Sequence, residues 1–437
     1  MSRSRPVVRH YSYRPLAFAS FKRLLKPALV RRLRDAMGNG RRQRKLGLVP
    51  FLWLGVCVAA HHAQSGLEGI FEIARSDTGS PRNAFPTVSA FSQYRKRFPL
   101  RVLRMLWREI TRRVALSCNS DRPGRLWTMD ATTLILPEDL WPLFGNHSGT
   151  QGHGPTQGML LVLYDLAGRV PLGLRLGRGR QREKDLAESF WDRMRPGDVV
   201  LLDAGFLSYR VYCRIMARRA HFLMPLRKNS RPKRTVRLAA GDSLCRIERG
   251  PYWKRFTHLP ETLSLRMVCS HRPGFRPRWL LTSLVDHEKF PAQSLAQLYH
   301  QRWHVETFFR DFKYTLASQH WHARTLRGLY AELLFTMILA SLTRLVMADA
   351  AVATGRQPGE LSFSHALTKV TVALDSLPRV PLVRWPACYR RLVREVAQCL
   401  IDIRPDRSFP RDTQKRRRLR RRKLLLQGGE HVLSKAA

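Results

Sequence analysis

The hydrophobic period of the chain changes at Arg125, and that change restricts the fold more than any other feature. Residues 126–136 are β-branched and apolar, with one charge among them, Asp130. A polar loop containing Gly145, Gly149, Gly152 and Gly154 follows. Residues 159–165 and 170–176 then read as two strands joined by the turn Ala167-Gly168. Residues 182–194 read as a helix that Pro196-Gly197 ends. Residues 198–202 form a short apolar strand with Asp203 at its end. Residues 208–219 read as a helix and 221–226 as another strand. The order β-β-β-α-β-α-β predicts an α/β sheet with helices on its faces. The ends of strands in such sheets are where functional groups are displayed.

Charge limits what this sheet can serve. The chain has 437 residues, 78 of them Lys or Arg against 32 Asp or Glu, for a formal net charge of +46. Such an excess repels itself unless a polyanion is near, and nucleic acid is the leading candidate because each neutralised phosphate releases counterions. The charge is spread over folded-looking sequence rather than one amphipathic segment, which argues against a membrane surface. The longest uncharged stretch near the start, residues 46–60, is short of the roughly twenty residues a spanning helix needs and contains Pro50. The basic first residues lack the apolar core of a signal peptide. Seven scattered cysteines without a CxxC pair predict neither a disulfide framework nor a zinc ribbon, and fit a reducing cytoplasm.

The composition suggests five segments. Residues 1–120 read as a helical DNA-binding region. Within it Thr87 or Ser89 can cap a helix that carries Arg95, Lys96 and Arg97 beside aromatics, as a helix lying on DNA would. Residues 121–226 are the first part of a catalytic core. Residues 227–285 are a basic, β-rich insertion, and 286–405 hold the second part of the core and C-terminal helices. Residues 406–437 read as a basic, disordered tail, since eight of the nine residues Lys415 to Lys423 are cationic.

With so few acids, those in unusual places carry information. On a continuous helix at about 100° per residue, Tyr299, Arg302, Glu306, Arg310 and Lys313 fall within roughly 80° of one another. Val305, Phe308, Phe309, Phe312 and Leu316 occupy the adjoining arc. One carboxylate among cations is either a salt-bridged surface or a metal-holding acid with phosphate-binding neighbours. Asp130 inside an apolar strand and Asp203 at the end of another complete a set of oxygen ligands, able to hold two hard cations about 4 Å apart. Other polar residues read more simply. His147 and His153 are loop histidines, Glu138 and Asp139 exposed loop acids, and Glu183, Asp185 and Glu188 members of a solvated helix face.

Tyr299-x2-Arg302-x3-Glu306-x6-Lys313 resembles the Y-R-E-K signature of the insertion sequence 4 family of bacterial transposases. Asp130-Ala131-Thr132-Thr133-Leu134 resembles the family's first-aspartate strand, Val200-Leu201-Leu202-Asp203-Ala204-Gly205-Phe206 its second-aspartate strand and turn, and Leu281-Thr282-Ser283-Leu284 the strand returning from its insertion. The similarity spans roughly 120–345. Ala204 departs from it, since relatives often carry Arg there.

The resemblance implies a ribonuclease H-like mixed sheet with flanking helices, and a β-rich insertion before the third-carboxylate helix. It implies Asp130, Asp203 and Glu306 as catalytic metal ligands, with Mg²⁺ as the usual ion and Mn²⁺ as a substitute. Tyr299, Arg302 and Lys313 would contact phosphates, and Trp253 is a candidate to hold a flipped base. The partners implied are transposon-end inverted repeats and target DNA, bound by a homodimer in the bacterial cytoplasm at the nucleoid. The activity implied is cut-and-paste cleavage and strand transfer. An inactive DNA-binding regulator of transposition and a structure-specific nuclease are the rival expectations.

Overall fold

Among the described residues, nine strands form one mixed sheet. The computed structural model describes residues 27–38, 46–61, 66–78, 85–118, 124–145, 154–227, 230, 232–271, 277–316, 318, 320–376 and 380–402. The strands are β1 (Leu126–Ile135), β2 (Gln157–Asp165), β3 (Val170–Arg178), β4 (Val199–Leu201), β5 (His221–Pro225), β6 (Lys233–Ala239), β7 (Asp242–Glu248), β8 (Thr262–Ser270) and β9 (Arg278–Thr282). Their order across the sheet is β3-β2-β1-β4-β5-β9-β8-β7-β6. β1, β2 and β3 pair antiparallel, and β4 and β5 run parallel to β1. This is the ribonuclease H-like arrangement expected of an antiparallel meander followed by α/β alternation. The expected insertion builds no sheet of its own, because β9 pairs with β5 and carries β6 to β8 outward as an extension of the same sheet.

Side chains of β1 alternate between two cores. Leu126 and Leu134 enter one, Trp127 and Met129 the other. The second core is sealed by the helix Glu183–Trp191, through Leu186, Ala187, Phe190 and Trp191, and by the helix Tyr209–Ala217. The first core is larger and takes in Val305, Phe308, Phe309 and Phe312 together with the helical part of the chain.

That helical part is organised by one element, Leu326–Thr354, 29 residues long. It is long and apolar enough to cross a membrane, yet its apolar window is wholly buried in the protein, as befits the central helix of a core. Leu100–Cys118, Leu48–Ala60 and Trp385–Ala397 pack around it. The Leu48–Ala60 helix corresponds to the uncharged stretch near the start and is buried on nearly all sides. Its Gly55 lies against the ring of Phe335, where a β-carbon would stand 2.1 Å from the ring's Cζ. Thr87 caps the Val88–Arg97 helix by accepting from the Ala90 amide at 3.1 Å.

The segment that carries Tyr299 to Lys313 is helical throughout, but not of one pitch. Ala292–His300 is followed by a 3₁₀ turn at Gln301–Trp303, then the helix His304–Arg310, then a π-helical stretch at Asp311–Thr315. Over-wound and under-wound turns let a helix re-aim side chains toward a fixed core. Here Val305, Phe308 and Phe312 stay fully or almost fully buried through the change of pitch. His147, His153 and the basic tail lie outside the described residues.

Candidate active site

The register of the sheet brings the two aspartates together. Along the parallel pairing of β1 and β4, Leu126 faces Val199, Trp127 faces Val200 and Thr128 faces Leu201. Continuing that register by two residues sets Asp130 beside Asp203, on neighbouring strands about 4.8 Å apart. β4 has ended there, so Asp130, although mid-strand in its own element, lies at an opening in the sheet. Its Oδ1 accepts from the Ala131 amide at 2.9 Å. Asp203 caps the short turn Ala204–Phe206, its Oδ1 accepting from the Gly205 amide at 2.6 Å.

Glu306 arrives from the helix His304–Arg310, which lies against β1 and β2 through Phe308, whose ring is tilted against that of Tyr164 at a centroid distance of 5.3 Å. Arg302 joins the acids. Its Nη2 donates to Glu306 Oε1 at 2.7 Å, and its Nη1 lies 3.4 Å from Asp130 Oδ2. The guanidinium is buried between the two carboxylates. Three segments separated by 73 and 103 positions in the chain therefore contribute acids to one locality.

The electrostatics reflect this crowding. Burial pushes Asp130 up to about 6; the Arg302 guanidinium and the Ala131 amide oppose that rise, and the Asp203 and Glu306 carboxylates reinforce it. Glu183 is pushed up to about 7, by burial first and then by Asp130 and Asp203. Glu183 thus belongs to this locality, which corrects its placement on a solvated helix face. Asp185 is exposed and Glu188 pairs with Arg210 and Arg214 at the surface, as expected of such a face. The signal for Glu183 was its position at the first residue of the helix between β3 and β4. That signal is masked because acids favour helix N-termini for dipole reasons alone.

The remaining predicted residues divide. Tyr299 is buried and its hydroxyl donates to the Leu202 carbonyl at 3.2 Å, so it holds the residue before Asp203. Burial also raises its phenol above the ordinary range. Arg310 is exposed and Lys313 half-buried, with its ammonium pKa lowered by that burial. Lys96 and Arg97 are exposed on the Val88–Arg97 helix. Arg95 is not a surface DNA ligand: it is 4% exposed and pairs with Glu332 of the central helix. Glu138 and Asp139 are exposed. Trp253 is half-buried in an aromatic cluster in the insertion, while its neighbour Tyr252 is 61% exposed and stacked under Arg255 at 4.2 Å.

No three His, Cys, Asp or Glu side chains among the described residues converge tightly enough to hold an ion as they lie. Arg302 already spans Asp130 and Glu306. The donor set is nonetheless suited to a hard divalent cation. All its atoms are carboxylate oxygens, and Asp130 and Glu183 both bear mutual repulsion that added positive charge would relieve.

A family model described as the transposase DDE domain matches residues 123–342. The chain belongs to that family. Among its relatives is the transposase InsG for insertion sequence element IS4 of Escherichia coli (strain K12), 27% identical over 62% of this chain and 62% of its own length. The transposase for insertion sequence element IS231B of Bacillus thuringiensis subsp. berliner is 23% identical over 47% of this chain and 43% of its own. These relatives bear out the resemblance to the insertion sequence 4 family. The chain spans less than two thirds of the length of each. A solved structure, the piggyBac transposase synaptic complex with hairpin DNA, aligns with 92% of this chain and 88% of its own at a TM-score of 0.43 and 14% identity.

Proposed function

We propose that this chain is a DNA transposase that cuts and joins strands at the ends of a mobile element. The observation that supports it is that Asp130, Asp203 and Glu306, from three separate segments, share one locality at an opening in the sheet, with Arg302 between Asp130 and Glu306. Asp130, Asp203 and Glu306 are the residues that would hold divalent metal, Mg²⁺ by preference with Mn²⁺ as substitute. When bound, such an ion lowers the barrier to phosphodiester attack by stabilising charge on the attacking and leaving oxygens.

The protein's own residues set the geometry. Tyr299 steadies the approach to Asp203 through the Leu202 carbonyl. Arg302 holds Glu306 and Asp130 in mutual orientation, and its exchange from carboxylate to phosphate would accompany loading. Arg310 and Lys313 supply cations for phosphates flanking the centre, and the exposed Lys96 and Arg97 on the Val88–Arg97 helix supply further cations for DNA. Tyr252, exposed beside Trp253, is the better placed of the two to stack on an extruded base. The substrates under this reading are terminal inverted repeats and target DNA, paired by a homodimer at the nucleoid in the cytoplasm.

The test is strand transfer of end-bearing DNA in Mg²⁺, comparing wild type with Glu306→Ala. Wild type should cleave and join. The variant should bind DNA comparably but lose product by about three orders of magnitude or more, the scale on which single catalytic groups act. Binding without cutting by both proteins would replace this reading with a DNA-binding regulator. Cleavage without joining would replace it with a nuclease.

A further inference from the structure

We infer that Glu183 is a fourth carboxylate of the metal centre, reaching it from the face of the sheet opposite to Glu306. The inference rests on the reading of Asp130, Asp203 and Glu306 as metal ligands and extends it by one residue that neither the motif nor its spacing includes.

Geometry carries it. A β-carbon placed on Gly205 would stand 2.7 Å from Asp203 Oδ1 and 3.4 Å from Glu183 Oε2. The two carboxylate oxygens therefore both lie beside Gly205, and a β-carbon there would crowd Asp203 Oδ1. The start of the Glu183 helix is pinned to the same turn, since Lys184 Nζ donates to the Leu207 carbonyl at 2.8 Å. The rest of the helix is anchored by Leu186, Ala187, Phe190 and Trp191 in the second core, so the position of Glu183 is set by packing.

The surroundings argue against an ordinary surface acid. Cations outnumber acids 78 to 32 in this chain. Glu188, on the same helix, takes two arginines. Glu183, half-buried, makes no hydrogen bond or ion pair among the described residues. A carboxylate held near two others, in a protein rich in arginine, and left without one is retained for a different cation. With Glu183 included, oxygen donors face the centre from one flank of the sheet (Glu306), from the strand ends (Asp130 and Asp203) and from the other flank. A pair of hard ions with high coordination numbers needs donors so disposed.

The experiment is a Mn²⁺ titration of the purified full-length chain without DNA, with free Mn²⁺ read by electron paramagnetic resonance. Four variants are compared with wild type: Glu183→Gln, Glu183→Asp, Asp203→Asn and, as a surface control, Glu188→Gln. Glu183→Gln should weaken Mn²⁺ binding about tenfold or more, and Glu188→Gln should bind as wild type does. Glu183→Asp keeps the charge but withdraws the oxygens by one methylene. It should bind more weakly than wild type, and it serves if the glutamine variant fails to fold. Wild-type binding by both Glu183 variants, with loss in Asp203→Asn, overturns the role of Glu183 and leaves the three-acid centre standing. Wild-type binding by Asp203→Asn as well removes the centre and the inference together.

Discussion

Arg95 shows how far a single residue can stand from its reading in sequence. A cation between aromatics on an amphipathic helix suits a DNA-facing surface, and Lys96 and Arg97 beside it are exposed. Arg95 itself turns inward to Glu332, and Glu332 Oε2 accepts the His322 amide at 3.0 Å. Periodicity assigns a face to a residue, but it does not say whether a buried acid waits there 237 positions later. Removing one member of a buried pair strands the other, whereas replacing both with apolar groups avoids that penalty. Arg95→Met should therefore lower unfolding free energy by about 3–5 kcal/mol, and Arg95→Met with Glu332→Met should recover most of the loss. Urea denaturation of both proteins checks this. If the single variant is as stable as wild type, the pair contributes nothing to the fold. Glu183 is the converse case, an acid whose helix-start position looked ordinary until the turn after β4 was brought beside it.

At the scale of elements, strands and helices were largely legible because their signals are local. β-branched runs, glycine turns and the Thr87 cap depend on neighbours in sequence. What local signals did not reveal was the change of pitch between Gln301 and Thr315, which arises because several aromatics of one helix must all reach the same core. The contact of the Leu48–Ala60 helix with the central helix is another non-local feature, and it depends on Gly55. A β-carbon there meets the Phe335 ring at 2.1 Å, so one helix or the other must move aside. Gly55→Ala adds helix propensity of about 1 kcal/mol but overpacks the contact by about 1–3 kcal/mol. The expected net result is a loss of stability in thermal unfolding, and a rise in Tm would show that Phe335 rotates away without cost.

For the whole molecule, a net charge of +46 must be matched by a polyanion or by salt. DNA binding should then weaken steeply as salt rises. If six to ten phosphates are neutralised, affinity should fall about 10³–10⁵-fold between 50 and 200 mM salt, measurable by fluorescence anisotropy with a labelled duplex. A shallow dependence would mean that most of the positive charge faces away from DNA. The sequence alone determined the order of elements, the basic character, the family and the identity of the three candidate acids, because propensity, composition and motif spacing are written along the chain. Only the tertiary structure decided which of those side chains meet. Strand register aligned Asp130 with Asp203, helix packing turned Arg302 and Tyr299 inward, and sheet continuity through β9 joined the insertion to the core. Burial and proximity depend on partners far away in the chain, and no local pattern encodes them.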